Sequence, residues 1–249
     1  MITIKSEREI ELLREAGRVT ALTIRKVGEV IKPGISTLAL DKIAEKIIRE
    51  NGCTPGFKGY QGFPGTLCTS INDVLVHGIP GHTILKDGDI ISIDTGACYR
   101  GYNGDSCYTF AVGQVKPEVQ KLLEVTEKAL YIGLEQVKPG NRVGDISNAI
   151  QTYVESFGFS LPIEYTGHGI GQSLHEDPII PNVGKPNTMH VLKKGMVICI
   201  EPMVFMGRPQ NKTDADGWTV RSRDHSWGAH YEHMVVVTDD GYEILTKEE

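Results

Sequence analysis

The feature that most limits how this chain can fold is a repeat inside it. Lys32-Pro33-Gly34 follows one helix-like stretch, and Lys138-Pro139-Gly140 follows another 106 residues later. Gly52 and Gly158 are also 106 residues apart, and LKDGDIISIDTG (85–96) aligns with LKKGMVICIEPM (192–203) at an offset of 107. Three anchors at a nearly constant offset indicate duplicated half-domains, because so long a period is not that of a solenoid. The halves divide near residue 115, giving about 1–115 and 116–249. No linker or low-complexity segment lies between them, so one domain spanning 1–249 is expected.

Each half reads helix, helix, then strands. A helix is predicted over 6–30, with Ser6 as cap, Glu9 as its capping-box partner, and Ile10, Leu13, Ala16 and Gly17 at helical spacing. A second is predicted over 37–50, and the counterparts fall at 117–136 and 143–156. The segments IISIDTG, CYTFAVG, MVICIEPM and HMVVVTDD are short, rich in β-branched residues and bounded by turn formers, so they read as strands. The fold class is therefore α+β: helices covering one face of a curved antiparallel sheet, with a pseudo-twofold axis between equivalent strands. A cleft on that axis is a natural active site.

A formal net charge of -6 and a pI of about 5.8 give no electrostatic reason to expect nucleic acid or an anionic membrane as partner. The N-terminus alternates charged with apolar residues, so it is not a signal peptide, and no apolar run is long enough for a membrane span. Five cysteines without a C-x-x-C argue against a disulfide framework and point to a reducing, cytoplasmic compartment. Without an uncovered apolar stripe, a monomer is expected.

The duplication sorts the polar residues. At the offset of 107, Asp94 falls on Glu201, and each closes an apolar strand. Asp105 opens the strand SCYTFAV, where a hairpin would bring it beside Asp94, and Glu232 opens HMVVV in the second half. Four carboxylates converging on one axis repel one another unless cations lie between them, and that many hard oxygens suit a pair of divalent ions. His168 sits in Tyr165-Thr166-Gly167-His168-Gly169-Ile170-Gly171, where glycines would let backbone approach a ligand. An imidazole among carboxylates is a donor set for Mn, Fe, Co or Zn rather than Ca. His175 follows seven residues later, His77 lies in Val76-His77-Gly78-Ile79-Pro80, and His230 stands beside Glu232.

These motifs carry a family resemblance. His77-Gly-Ile-Pro80, Asp94-Thr-Gly with Asp105, Thr166-Gly-His168-Gly-Ile-Gly, His175-Glu-x-Pro178, Glu201-Pro202-Met203 and Tyr231-Glu232-His233 together resemble type I methionine aminopeptidase in its short, bacterial-type form. The resemblance spans essentially the whole chain. It implies the pita-bread fold, a duplicated α+β domain, and removal of initiator methionine from nascent chains whose second residue is small. It implies two divalent metal ions, with Asp105 and Glu232 bridging, Asp94 holding one ion, and His168 and Glu201 the other. Glu201 would also shuttle the proton, His175 would donate to the oxyanion, and His77 would contact the substrate near the scissile amide. Tyr60, Phe63, Cys68, Leu174 and Trp218 match the pocket for the methionine side chain. Phe63 stands where the family usually has tyrosine and Leu174 where it usually has an aromatic, which opens the wall and broadens tolerance. An encounter with the ribosome is implied by nascent substrates. The polar segment 207–227 reads as a rim loop with Trp218 turned inwards, while Cys68 and Cys98 read as small buried apolar side chains.

Two other readings compete. Proline-directed peptidases such as prolidase and aminopeptidase P use the same five ligands but generally carry an added N-terminal domain, whereas here the catalytic pattern begins almost at Met1. A catalytically dead, peptide-binding relative would have lost ligands, and all five positions are filled.

Overall fold

The computed structural model describes residues 2–248. Helices α1 (Glu7–Gly28) and α2 (Thr37–Glu50) come first. The strands β1 (Thr54–Pro55), β2 (Leu67–Ile71), β3 (Val74–Val76), β4 (Ile90–Thr95), β5 (Ala97–Tyr99), β6 (Tyr102–Asn103) and β7 (Ser106–Ala111) follow. The second half repeats the plan with α3 (Pro117–Leu134) and α4 (Val143–Glu155), then β8 (Thr166–Gly169), β9 (Glu176–Pro181), β10 (Val197–Ile200) and β11 (Met203–Phe205). It closes with β12 (Asn211–Thr213), β13 (Val220–Ser222), β14 (Gly228–His230), β15 (Glu232–Val237) and β16 (Tyr242–Ile244).

Local chemistry explains the helix starts. Glu9 N donates to Ser6 Oγ at 3.4 Å while Ser6 N donates to the Glu9 carboxylate at 2.8 Å, a reciprocal capping box that satisfies two orphan donors of α1. Ser36 Oγ accepts from Ala39 N at 3.2 Å and starts α2. Pro117 begins α3, where its missing N–H costs nothing. Asp145 reaches back to Arg142 N at 2.7 Å to start α4. The helices end slightly earlier than the sequence suggests, since α1 stops at Gly28 and α3 at Leu134.

The repeat is a property of the backbone as well as of the letters. Gly34 and Gly140 adopt φ of 93° and 92°, and Gly52 and Gly158 adopt 73° and 76°. These are left-handed conformations that glycine takes without a Cβ penalty. Ser36 pairs with Ile84 in one half and Arg142 with Val191 in the other, isolated bridges offset by 106 and 107 residues.

The main sheet is antiparallel, ordered β2-β4-β7-β15-β10-β8-β9, with β16 beside β15. Read outwards from the β7–β15 seam, β4 then β2 on one side answer β10 then β8 on the other. This is the pseudo-twofold arrangement. Ile91 and Ile93 of β4 pack with Val27, Leu40 and Ala44 of α1 and α2, while Ile198 and Ile200 of β10 pack with Ile146 and Ile150 of α4. Fully burying such aliphatic side chains is worth about 1.5–3 kcal/mol each, so the helix-covered face holds the sheet in register. Residues between them point to the opposite face, where the site lies.

Two sequence expectations need correction. MVICIEPM is not one strand: β10 stops at Ile200, and Met203–Phe205 pairs instead with β14, because Pro202 has no N–H to continue the ladder. The segment 207–227 is not simply a loop either, since β12 and β13 form a hairpin there that pairs with β3.

Candidate active site

Strand register assembles the floor of the site. Asp94 lies opposite Cys68 on one side and Cys107 on the other, and Cys107 lies opposite Glu232 across the seam. Opposed residues share a face, so these four side chains form a row across β2, β4, β7 and β15. Asp105, two residues before Cys107, joins the same face. Ile200 pairs with His233, which brings Glu201, just beyond β10, beside Glu232.

His168 completes the group from β8. Its Nε2 is 3.6 Å from Asp105 Oδ2 and 3.5 Å from Glu201 Oε1. Its Nδ1 donates to Gly169 O at 2.9 Å, which leaves the Nε2 lone pair facing the carboxylates. The glycines around it serve packing rather than ligand approach. A Cβ on Gly167 would lie 2.3 Å from Cys199 O, and one on Gly169 would lie 2.1 Å from Asp177 O, so they admit neighbouring strands instead.

All five groups are buried: Asp94 is 9% exposed, Asp105 4%, His168 6%, Glu201 9% and Glu232 2%. Burial pushes the Asp94 carboxyl up to about 7, with Glu201 adding to the rise and His230 opposing it. Burial likewise raises Asp105, Glu201 and Glu232, and neighbouring carboxylates add to the effect at Asp105 and Glu232. Burial lowers His168 to about 3, so its imidazole is neutral. Asp94 Oδ1, Asp105 Oδ1, Glu232 Oε1 and His230 Nε2 are buried without a hydrogen-bond partner. Buried polar atoms left unmatched are costly, and unshared lone pairs of this kind are what a divalent cation satisfies.

Above the floor lies a cavity of about 290 Å³. Phe63, Cys68 and Leu174 are 4%, 3% and 4% exposed and form its apolar wall. Trp218 meets Phe63 edge-on at 5.1 Å and His77 at 6.3 Å. Burial lowers the His77 imidazole to about 4. The ring of His175 lies 4.3 Å from that of His168, and its Nδ1 is 2.9 Å from Tyr60 Oη. Burial also lowers His175, so it is a neutral N–H donor at the mouth.

Residues 11–239 match metallopeptidase family M24. The chain belongs to that family. It is 55% identical over 247 residues to methionine aminopeptidase 1 of Bacillus subtilis, covering 99% of this chain and 100% of the relative. It is 52% identical over 250 residues to the methionine aminopeptidase of Mycoplasma capricolum, covering both chains fully at 100%. Among solved structures, methionine aminopeptidase from Thermotoga maritima superposes with a TM-score of 0.98 at 43% identity, with 100% of each chain covered.

The architecture is accordingly the pita-bread fold, and the chain is a hydrolase of a family that works with divalent metal ions. The donors present suit such ions. Ligand atoms of Asp105, His168, Cys199 and Glu232 lie within 4.8 Å of one another, as do those of Glu201, His230 and Glu232. Sequence reasoning gave no part to two thiols in this M24 site. Cys107 stands in the carboxylate row, and Cys199 lies two residues before Glu201 on the same face. The strand period of two was the signal that could have found them. Cys98, expected to be buried, is only partly buried in the β5–β6 hairpin. No helix among the described residues is long and apolar enough to cross a membrane.

Proposed function

We propose that this M24 chain removes the N-terminal methionine from nascent polypeptides whose second residue is small, both halves acting as one catalytic domain. The observation that carries the reading is a buried floor of four carboxylates and one imidazole beneath an apolar cavity closed by Phe63, Cys68, Leu174 and Trp218, with two neutral histidines at its edge. The full-length likeness to relatives named methionine aminopeptidases supports it.

Asp94, Asp105, His168, Glu201 and Glu232 would hold two divalent ions, of Mn, Fe, Co or Zn, which when bound supply Lewis acidity and a water acidic near neutral pH. Glu201 takes the proton from the attacking water and returns it to the leaving amine. His175 donates to the developing oxyanion, held in orientation by Tyr60 at its other nitrogen. His77 contacts the substrate beside the scissile amide. Tyr60, Phe63, Cys68, Leu174 and Trp218 receive the methionine side chain, and the acidic floor favours a free α-amino group, so only the first residue is removed. The enzyme acts as a monomer in the cytoplasm and meets its substrates as they leave the ribosome.

The test is kinetic. Protein stripped of metal and reloaded separately with Mn, Co, Fe or Zn is offered Met-Ala-Ser, Met-Leu-Ser, Ala-Pro and an N-blocked Met peptide. Metal-dependent release of Met from the first alone is expected. Preferential cleavage of Ala-Pro would replace this reading with a proline-directed one, and turnover without metal would overturn the mechanism.

A further inference from the structure

Arg221 lies outside both floor and cavity, yet it connects two parts of the rim. Its side chain is 26% exposed and makes four hydrogen bonds. Nε donates to Asp214 Oδ1 and Oδ2 at 3.0 and 2.8 Å, and Nη2 donates to Asp214 Oδ2 at 2.6 Å. Nη1 turns the other way and donates to Asp73 Oδ1 at 2.9 Å. A planar guanidinium can grip two carboxylates in this fashion, whereas an ammonium cannot reproduce the fork.

The two carboxylates belong to segments that carry different pocket residues. Asp73 immediately precedes β3, and β3 leads directly into His77. His77 holds φ of 59°, a conformation unusual for a residue with a side chain, so its surroundings must determine it. Asp214 immediately follows β12 and begins the turn that carries Trp218. Within that turn Asp214 N donates to Thr219 O at 2.8 Å, and Asp216 accepts from Trp218 N and Thr219 N, both at 2.8 Å. The backbone joins the segments as well: Arg221 pairs with Val74, and Ser222 N donates to Asp73 O at 3.0 Å. At the far ends of these two arms, the rings of His77 and Trp218 meet edge-on at 87°.

We propose that Arg221 is a positioning residue, a clamp between Asp73 and Asp214 that fixes Trp218 against His77 and thereby sets which first side chains the cavity admits. The selectivity in this statement rests on the proposed aminopeptidase function, whereas the placement of Trp218 does not. A merely structural ion network predicts something else: removing Arg221 would leave half-buried Asp214 without its charged partner and Asp73 with only the His225 ring nitrogen at 2.8 Å, lowering stability with selectivity unchanged.

The experiment separates these outcomes. The chain has two tryptophans. In a Trp227→Phe background, which leaves the cavity lining untouched, Trp218 is the sole tryptophan reporter. Metal-loaded full-length protein carrying Arg221→Met, Arg221→Lys or Asp214→Asn is compared with this parent for acrylamide quenching of Trp218, and for kcat and KM on Met-Ala-Ser, norleucyl-Ala-Ser and Leu-Ala-Ser. Arg221→Met is expected to raise the quenching constant about twofold and to reduce the preference for Met over Leu about tenfold, mainly through KM, the size of change that loss of one charged hydrogen bond produces. Arg221→Lys, which keeps the charge and loses the fork, should fall between. Should Arg221→Met not fold, Arg221→Lys and Asp214→Asn carry the same readouts. Quenching and selectivity equal to the parent, with only a lower Tm, would overturn the clamp. A parent that releases no Met would defeat the functional reading, and Trp218 quenching would still decide the clamp.

Discussion

The floor and the rim of this site were built differently. On the floor the halves match strand for strand, with β4 and β7 answering β10 and β15 and Asp94 answering Glu201. On the rim they do not. A short connection, 96–105, joins β4 to β7, whereas 201–231 joins β10 to β15 and contains the β12–β13 hairpin, Trp218 and Arg221. Two copies of one plan thus produce a nearly symmetric set of carboxylates, and an unmatched excursion in the second copy makes the pocket above it one-sided. His168 breaks the symmetry of the floor itself, adding a neutral nitrogen donor to one side.

If the floor performs the chemistry and the rim selects, variants should separate along that line. The largest effect is expected from Glu201→Gln, which keeps the shape but cannot carry the proton: kcat should fall by on the order of 10³–10⁴ while the circular dichroism spectrum is retained. A variant that keeps a tenth of its turnover would remove Glu201 from the role assigned. His175→Ala comes next, with kcat lowered by about 10²–10³ and KM nearly unchanged, as for loss of one oxyanion donor. A rise in KM alone would move His175 to the binding rim.

The third prediction concerns stability of the metal-free protein. The folded Asp94 carboxyl sits at about 7 against an ordinary value of 3.8. The folded state therefore binds the proton more tightly than the unfolded chain does. This contribution is complete below pH 3.8 and is lost as pH rises through about 7. The gain in Tm on adding Mn should accordingly be larger at pH 7.5 than at pH 5.5 in calorimetry, and an equal gain would show that the carboxylates are not its source. Smallest is Leu174→Phe, which fills the opened wall. It should lower KM for Met-Ala-Ser about two- to fivefold by added apolar contact and leave kcat alone. A change in kcat would place Leu174 in contact with the reacting groups.

Much of the floor was legible because a duplicated sequence supplies its own comparison. The offset tied Asp94 to Glu201 before any geometry was known, and glycines at matching positions fixed the helix ends in both halves. The thiols were not legible in the same way. The period of two puts Cys107 on the face of Asp105 and Cys199 on that of Glu201, but the pairing of β4 with β7 and of β10 with β15 is what sets them beside carboxylates of other strands. The glycines beside His168 were visible, but their purpose was not, because close approach by a strand and close approach by a ligand require the same missing side chain.

What the sequence determined by itself was therefore local and periodic: the repeat, the helix caps, the strand faces and the polar residues that close or open the strands. What tertiary structure decided was distance across elements remote in the chain. Asp105 meets His168, Asp73 meets Asp214 through Arg221, and Trp218 closes on His77 only because antiparallel register and the β3–β13 pairing bring them together. Register depends on packing summed over a whole sheet, and no single stretch of sequence carries that sum.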